Sequence, residues 1–290
     1  MEFRERYEQY RTGVEEVLQH LFLRKFPAGR LQEAMRYSLL AGGKRVRPVM
    51  TLAFCEALEG EKRGALFLGA ALECVHTYSL IHDDLPCMDN DDFRRGRPTC
   101  HKVYGETMAV LAGDALQAEA FRLISITPGL SAEQKIDAVN ALSSACGGDG
   151  MVGGQVLDIE GLAHDEASLR DLCLRKTGCL LGVAADLGCI AAGASSWEVR
   201  SCAREYGTHL GLAFQVRDDM LDVTADPEEF GKPVGSDREE GKRTFVDLLG
   251  LERCAALVAE ETALAKQAVS CFRDNQFLLK LADALADRRK

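Results

Sequence analysis

The sequence predicts an all-α fold in which the helices pack into one bundle. Apolar side chains recur every three or four residues, as at Phe3, Tyr7, Tyr10 and Val14, and this spacing places them on one face of a helix. No stretch of strand length alternates between apolar and polar residues. Because no linker rich in Ser and Pro and no repeat of fixed period divides the chain, we expect a single domain over residues 1–290.

Breaks in the apolar spacing mark where the predicted helices begin and end. Pro27 and Gly29 follow the first helix, since proline removes a backbone donor and glycine permits a turn. Gly42 and Gly43 follow the second helix, and Asp165 is the predicted N-cap of a later one. The predicted helices cover residues 2–25, 31–40, 49–58, 64–81, 107–126, 132–146, 165–194, 197–222 and 248–285, the last with a break at Asn275.

Net charge and cysteine usage restrict the classes of function. The formal charge is −10 at pH 7, which disfavours nucleic acid as a partner, so an anionic substrate must be captured by local cations and metal. The eleven cysteines include no Cys-x-x-Cys pair, which favours buried thiols in a reducing compartment. The N-terminus lacks an apolar signal core, and no apolar run is long enough to span a membrane. We therefore expect a cytoplasmic protein with no membrane span and no nucleic acid partner.

A cluster of aspartates directly follows the predicted helix that ends at Ile81. Five carboxylates lie within ten positions, at Asp83, Asp84, Asp89, Asp91 and Asp92. They repel one another unless a cation lies among them, and ligands that offer only oxygen favour magnesium over zinc. Arg94 and Arg95 come next, and guanidinium groups suit the oxygens of a phosphate ester. The pattern indicates a diphosphate held through metal ions; a solvated acidic turn is the alternative.

A second aspartate cluster makes the solvated turn less convincing. Asp218, Asp219 and Asp222 lie in an apolar frame that is predicted to be helical. Asp218 and Asp222 are four residues apart, so they share one helix face. Two such faces could bind one set of metal ions from opposite sides.

Three further features carry positive charge or a histidine. Residues 42–48 combine two glycines with three cations. Backbone N–H groups beside basic side chains make an anion site. The alternative is that the glycines only end a helix. His76 lies seven residues before Asp83, about two helical turns, so both could face one cavity; a buried core histidine is the alternative. Lys232 lies in a glycine-rich loop that could close over phosphates or could be solvated.

Five motifs in this order resemble those of the trans-isoprenyl diphosphate synthases, the family of the farnesyl and geranylgeranyl diphosphate synthases. The resemblance covers nearly the whole chain. It implies an all-α fold of the isoprenoid synthase type around a central active-site cavity, a magnesium-dependent enzyme and a homodimer. The motifs are Gly-Gly-Lys-Arg-x-Arg-Pro at 42–48, Asp-Asp-x-x-x-x-Asp at 83–89 with Arg-Arg-Gly at 94–96, Gly-Gly-Gln-x-x-Asp at 153–158, Lys-Thr-Gly at 176–178 and Phe-Gln-x-x-Asp-Asp-x-x-Asp at 214–222.

The resemblance also implies a role for individual residues. Asp83 and Asp89 would bind two magnesium ions, with Asp84 in support, and Asp218 would bind a third, with Asp219 and Asp222 nearby. The allylic diphosphate, from dimethylallyl or geranyl diphosphate, would be bound by Arg94, Lys176 and Lys232. The diphosphate of isopentenyl diphosphate would be bound by Lys44, Arg47, His76 and Arg95. Thr177 and Gln215 would line the path of the carbocation. The predicted catalytic residues are Asp83, Asp84, Asp89, Lys176, Asp218 and Lys232.

Product length is predicted from the helix that precedes Asp83. In the family, a bulky residue near this point stops the tail at fifteen carbons, and Tyr78, five residues before Asp83, resembles bacterial farnesyl diphosphate synthases. Ser79, four residues before, is small, so geranylgeranyl diphosphate is the alternative product. A terpene cyclase would not need residues 42–48 or His76, and a catalytically silent partner subunit would be expected to lose an aspartate motif. Neither other class therefore fits this sequence as well.

Overall fold

The all-α prediction is confirmed. The structure, a computed structural model, describes residues 2–23, 25–224 and 243–288, and helices make up most of them. In chain order the elements are α1 (Phe3–His20), α2 (Gly29–Leu39), α3 (Val46–Ala57), α4 (Lys62–Asp83), β1 (Phe93–Arg94), β2 (Arg97–Pro98), α5 (Cys100–Tyr104), α6 (Glu106–Ile126), α7 (Ala132–Cys146), α8 (Met151–Ile159), α9 (Glu166–Cys173), a π-helical turn (Leu174–Gly178), α10 (Cys179–Ala191), α11 (Trp197–Thr224), α12 (Phe245–Ala268), a 3₁₀ turn (Val269–Cys271) and α13 (Gln276–Ala286).

Local signals account for several helix ends. Asp165 is the N-cap of α9, and its carboxylate accepts a hydrogen bond from the Ser168 N–H at 2.8 Å. Asn275 is the N-cap of α13, as the predicted break requires. The first helix is shorter than predicted, because α1 ends at His20. The fourth helix is longer than predicted, and Asp83 is its last residue.

A small β-hairpin was not predicted. Phe93 pairs with Pro98 in antiparallel register, and Arg95 and Gly96 form the two-residue turn. Both turn residues have positive φ, 53° at Arg95 and 72° at Gly96, which is typical of the turns that join twisted strands. A ladder this short contains no run of alternating residues that a sequence pattern could detect. The hairpin matters because it fixes the direction of the arginine pair.

Helix α4 lies at the centre of the bundle, where it packs against α3, α6 and α10. Among the described residues it is the one helix long and apolar enough, by length and composition, to cross a membrane. However, 72% of its most apolar 18-residue window is buried inside the bundle. A core helix accounts for this composition. The C-terminal end of α4 therefore delivers Asp83 from a well-packed element to the site.

The cysteines behave largely as small apolar side chains. All eleven are free thiols, and most of them are buried; Cys87 and Cys271 are exposed. Burial raises the pKa of the Cys55 thiol to about 11. The prediction of buried thiols is confirmed for most positions.

Candidate active site

One large cavity brings together several of the motifs. Its volume is about 570 Å³, and it lies against α4, α6, α8 and the π-helical turn. Its polar lining comes from Arg47, His76, Asp83, Gln155, Lys176 and Thr177, and its less polar lining includes Tyr78, Ser79, His82, Val110, Met151, Val152, Val156 and Leu180. We call it the main cavity. The expectation that His76 and Asp83 face one cavity is confirmed.

A second cavity adjoins the first. Its volume is about 530 Å³, and it shares the lining residues Cys87, Met88 and Ile159 with the main cavity. Asp89, Asp158 and Arg243 also line it. The first aspartate cluster therefore lies where the two cavities meet.

Arg47, His76 and Arg95 form a basic group beside the main cavity. The Arg47 Nη1 lies 3.4 Å from the His76 Nε2, and the buried Arg47 Nε has no hydrogen-bond partner among the described residues. Burial and the neighbouring Arg47 and Arg95 lower the pKa of His76 well below its ordinary value, so the ring is neutral. Burial also lowers the pKa of Arg47 and of Arg95. A group of crowded cations with a free donor is suited to bind an anion.

The glycines of residues 42–48 allow this group to assemble. The guanidinium of Arg95 donates a hydrogen bond to the Gly42 carbonyl. It passes directly over Gly43, which has φ of 126° and at which an added Cβ would lie 2.8 Å from the Arg95 Cζ. Lys44 is exposed on the same turn, and its carbonyl accepts a hydrogen bond from the Tyr7 hydroxyl at 2.6 Å.

Arg45 points away from this group. Its buried guanidinium donates to Glu73 at 2.6 Å, to Glu15 at 2.7 Å and to the Leu39 carbonyl at 2.7 Å. Of the three cations of the turn, Arg45 therefore makes its contacts in the core and not at the cavity. The prediction had assigned substrate only to Lys44 and Arg47 of this stretch.

The aspartates of the first cluster have different surroundings. Asp83 Oδ1 accepts a hydrogen bond from Gln155 Nε2 at 3.0 Å, and the Asp89 N–H donates to the Asp83 carbonyl at 2.9 Å, which folds the loop back toward α4. Asp84 accepts a hydrogen bond from Arg94 Nε at 2.6 Å, and burial, although opposed by Arg94, raises the pKa of its carboxyl to about 6. Asp92 lies at the surface and pairs with Lys102 at 2.6 Å.

The second cluster lies near the end of α11, so Asp218 and Asp222 share a face as predicted. Asp219 and Asp222 are buried. Asp219 accepts hydrogen bonds from Gln215 Nε2 at 3.1 Å and from the Phe245 N–H at 2.8 Å. Asp218 is more exposed and forms an ion pair with Arg288.

The π-helical turn places Lys176 and Thr177 between the two clusters. An extra residue in this turn widens the helix, and such turns are frequent at functional sites. Lys176 Nζ donates to Asp158 Oδ2 of α8 at 2.5 Å, and Thr177 Oγ1 donates to Gln215 Oε1 of α11 at 3.4 Å. Gly154 permits the close approach of α8, because an added Cβ there would lie 2.8 Å from the Lys176 Cα.

These contacts connect the two aspartate clusters through side chains. Asp83 contacts Gln155 of α8, Asp158 of the same helix contacts Lys176, and the neighbouring Thr177 contacts Gln215, which holds Asp219. The predicted assembly of both clusters around one site agrees with this arrangement.

Some residues of the site were not assigned from the sequence. The contacts of Gln155 and Asp158 could have been anticipated from the Gly-Gly-Gln-x-x-Asp motif, whereas those of Arg243 and Arg288 carry no local signal. Arg288 reaches Asp218 from the end of the chain, and the Arg243 Nη1 donates to the His164 carbonyl at 3.0 Å. Lys232, which was predicted to bind substrate, lies outside the described residues.

The carboxylates fit a hard divalent cation that is shared with a ligand. Among the described residues, no three side chains of His, Cys, Asp or Glu converge closely enough to hold a metal alone. The aspartates instead lie in two separate segments, the end of α4 with the loop that follows it and the end of α11, and they offer only oxygen. A diphosphate between them would have to complete the coordination.

The fold and this site define the class, an all-α protein of the isoprenoid synthase type. A sequence profile described as polyprenyl synthetase matches residues 28–276. A chloroplastic geranylgeranyl pyrophosphate synthase of Capsicum annuum is 47% identical over 264 residues, covering 89% of this chain and 71% of the relative. The farnesyl diphosphate synthase of Bacillus subtilis (strain 168) is 43% identical over 263 residues, covering 89% of this chain and 88% of the relative. A solved FPP/GFPP synthase from Zymomonas mobilis, in its apo form, is 36% identical with a TM-score of 0.83, covering 98% of this chain and 96% of that one.

The chain belongs to the polyprenyl synthetase family. It is a prenyl diphosphate synthase, a prenyltransferase of isoprenoid biosynthesis, and the substrates of this family are isopentenyl diphosphate and an allylic diphosphate.

Proposed function

We propose that the chain is a magnesium-dependent farnesyl diphosphate synthase, which extends dimethylallyl and then geranyl diphosphate with isopentenyl diphosphate. The observation that supports a fifteen-carbon product is the position of Tyr78. Its side chain lines the same cavity as Asp83, five residues earlier on α4, and is only 6% exposed. A bulky ring at this depth would stop a growing tail. The similarity to the Bacillus subtilis enzyme supports the same product.

Magnesium would be held by Asp83, Asp89 and Asp218, with Asp84, Asp219 and Asp222 in support. Three ions are expected. When bound, the metal would supply Lewis-acid stabilisation of the charge on the leaving diphosphate. Carboxylate oxygens are the ligands that such hard cations prefer.

Two sets of polar side chains would each bind one of the two diphosphates. Lys176, Arg94 and Lys232 would bind the allylic diphosphate. The crowded group of Arg47, His76 and Arg95, with Lys44 beside it, would bind that of isopentenyl diphosphate. Neutral His76 would act as a hydrogen-bond donor and not as a charge, because burial and then the arginines around it disfavour a second proton.

The chemistry follows from charge and from exclusion of water. The allylic C–O bond breaks and gives diphosphate and a delocalised cation, and Lys176 and Arg94 stabilise the developing negative charge. The double bond of isopentenyl diphosphate attacks the cation, and the proton then lost passes to the released diphosphate. Thr177 and Gln215 would line this path. Apolar side chains such as Met151 and Leu180 would keep water from the cation.

Geranylgeranyl diphosphate is the second candidate product. Ser79 also lines the main cavity and leaves room on the turn that Tyr78 occupies. The Capsicum annuum relative bears the corresponding name. A tail that could pass Tyr78 along this side would reach twenty carbons.

We further propose that the protein is a homodimer. Leu111 on α6 is 48% exposed and is not among the residues that line the main cavity. A second copy that covered it would remove this apolar surface from water. Light scattering coupled to size-exclusion chromatography would give the mass in solution, and a monomer at micromolar concentration would contradict the proposal.

Product analysis tests the function directly. The purified chain is given magnesium, isopentenyl diphosphate and, in turn, dimethylallyl, geranyl and farnesyl diphosphate, and the dephosphorylated products are separated by chromatography. We expect the fifteen-carbon alcohol to accumulate and farnesyl diphosphate not to be extended. Extension to twenty carbons would favour the second candidate. Diphosphate release from an allylic substrate alone would indicate a cyclase, and no turnover would indicate a silent subunit.

A further inference from the structure

The ring of His82 packs against Tyr78 inside the main cavity. The two residues are one helical turn apart on α4, their ring centroids are 5.8 Å apart, and the ring planes meet at 71° in an edge-to-face arrangement. Both side chains line the cavity. Burial raises the pKa of Tyr78 to about 12, so the phenol is a neutral wall at physiological pH. The position of the Tyr78 ring, and with it the depth of the cavity, depends on the side chains that pack against it.

Helix α6 holds the opposite side of the His82 ring. The His82 Nε2 lies 3.1 Å from the Val110 carbonyl oxygen and 4.0 Å from Asp114 Oδ1, a geometry in which the ring N–H donates to the carbonyl. Gly113 lies directly behind the ring. A Cβ added at Gly113 would lie 2.5 Å from the His82 Cδ2, well inside van der Waals contact. Only glycine leaves space for the ring in this position.

We propose that His82 is a positioning residue for product length: Gly113 seats the His82 ring against α6, and the seated ring supports Tyr78 as the floor of the cavity. The inference deepens the proposed function and rests on it. An aromatic ring at the end of a cavity can rotate about its side-chain bonds unless a neighbour blocks it. His82 is the neighbour on the next turn of the same helix.

Two substitutions should move the floor in opposite directions. Gly113→Ala would push the imidazole off the Val110 carbonyl and toward Tyr78, which makes the cavity shallower. The colliding atoms belong to the end of a side chain, so the ring should move and not the helices. His82→Ala would remove the support and let the Tyr78 ring swing aside, which makes the cavity deeper.

The double variant His82→Ala/Gly113→Ala isolates the contact. Without an imidazole, the new methyl group at position 113 has no ring to displace, so its effect on product length should vanish. Gly29→Ala is the matched control, because an added Cβ at Gly29 meets no atom within 4 Å. Each variant is given dimethylallyl diphosphate, excess labelled isopentenyl diphosphate and magnesium. Total label incorporated and product chain length are measured separately.

We expect the main product of Gly113→Ala to be one isoprene unit shorter than that of the wild type, and that of His82→Ala to be one unit longer. The double variant should match His82→Ala, and Gly29→Ala should match the wild type. A wild-type product profile for Gly113→Ala, or a double variant as short as Gly113→Ala, would overturn the inference. If Gly113→Ala does not fold, an unchanged product from His82→Ala overturns it. A wild-type enzyme that incorporates no label would refute the proposed function itself.

Discussion

The guanidinium of Arg288 forms an ion pair with the carboxylate of Asp218, the side chain predicted to bind the third metal ion. The same guanidinium lies over the ring of Phe214, with its Cζ 3.6 Å from the ring centroid. Burial and the nearby Arg217 lower the pKa of Arg288 to about 10, so it remains charged at physiological pH. A side-chain cation thus occupies a position that metal would need.

Removal of this arginine should strengthen metal binding. A divalent ion at Asp218 must displace the guanidinium, so Arg288→Ala should bind Mn²⁺ about two- to tenfold more tightly, as expected for loss of a partly exposed ion pair. Electron paramagnetic resonance of Mn²⁺ in the presence of inorganic diphosphate measures the affinity. Arg253→Ala, which removes a surface arginine paired with Glu260, is the control. Equal affinities in Arg288→Ala and the wild type would contradict this prediction.

The aspartates of the two clusters should dominate turnover. Asp83→Ala and Asp218→Ala each remove a predicted metal ligand for the leaving diphosphate, and we expect kcat to fall by about 100-fold or more with the fold intact. Steady-state kinetics measures the loss, and circular dichroism checks the fold. Asp92→Ala is the matched control, because Asp92 belongs to the same cluster but pairs with Lys102 at the surface. Near-normal activity in either ligand variant would refute the metal assignment.

Truncation of Tyr78 should lengthen the product. Tyr78→Ala removes the ring from the wall of the main cavity, so the tail should extend by at least one isoprene unit. Chromatography of the dephosphorylated products measures the change. Ser79→Ala, on the same turn, removes only a hydroxyl that donates to the His76 carbonyl at 3.0 Å, and it should leave the product unchanged. A wild-type product from Tyr78→Ala would place the floor elsewhere.

The close approach at Gly154 should be needed for stability. An added methyl group would collide with the backbone of Lys176, which cannot rotate away, so Gly154→Ala should lower the free energy of unfolding by about 1–3 kcal/mol. Thermal denaturation measures the loss. Gly148→Ala lies in the same glycine-rich stretch, and its Cβ would meet no atom within 4 Å. Equal melting temperatures for the two variants would show that the π-helical turn can shift at little cost.

The sequence predicted the parts of the site that depend on local spacing. Asp218 and Asp222 share a helix face because a helix repeats every 3.6 residues, and His76 and Asp83 reach one cavity for the same reason. The family motif assigned Arg47 and not Arg45 to substrate, but spacing alone gives no reason for that choice. The packed structure supplies the reason, because Arg45 turns toward Glu73.

Contacts between distant parts of the chain were beyond prediction. Arg288 meets Asp218 across seventy residues, and no periodicity describes such a pairing. The hairpin that directs Arg95 has only two residues in each strand, too few for alternation to be visible. The close packing of the His82 ring on Gly113 depends on how α4 and α6 approach each other. The spacing of residues within either helix cannot predict this approach.

Helix α4 would also relate the length of the product to the position of one side chain. Its C-terminal residue, Asp83, is predicted to lie at the reacting end, and Tyr78 lies five residues back on the same 22-residue helix. Since each helical turn rises ~5.4 Å, the position of one bulky side chain along α4 would set the tail length at which growth ends under the proposed function. Moving that side chain by one turn toward Cys74 would change the length of the product without altering the reacting end. Under the proposed function, a change at this one position would therefore alter product size and leave the chemistry unchanged.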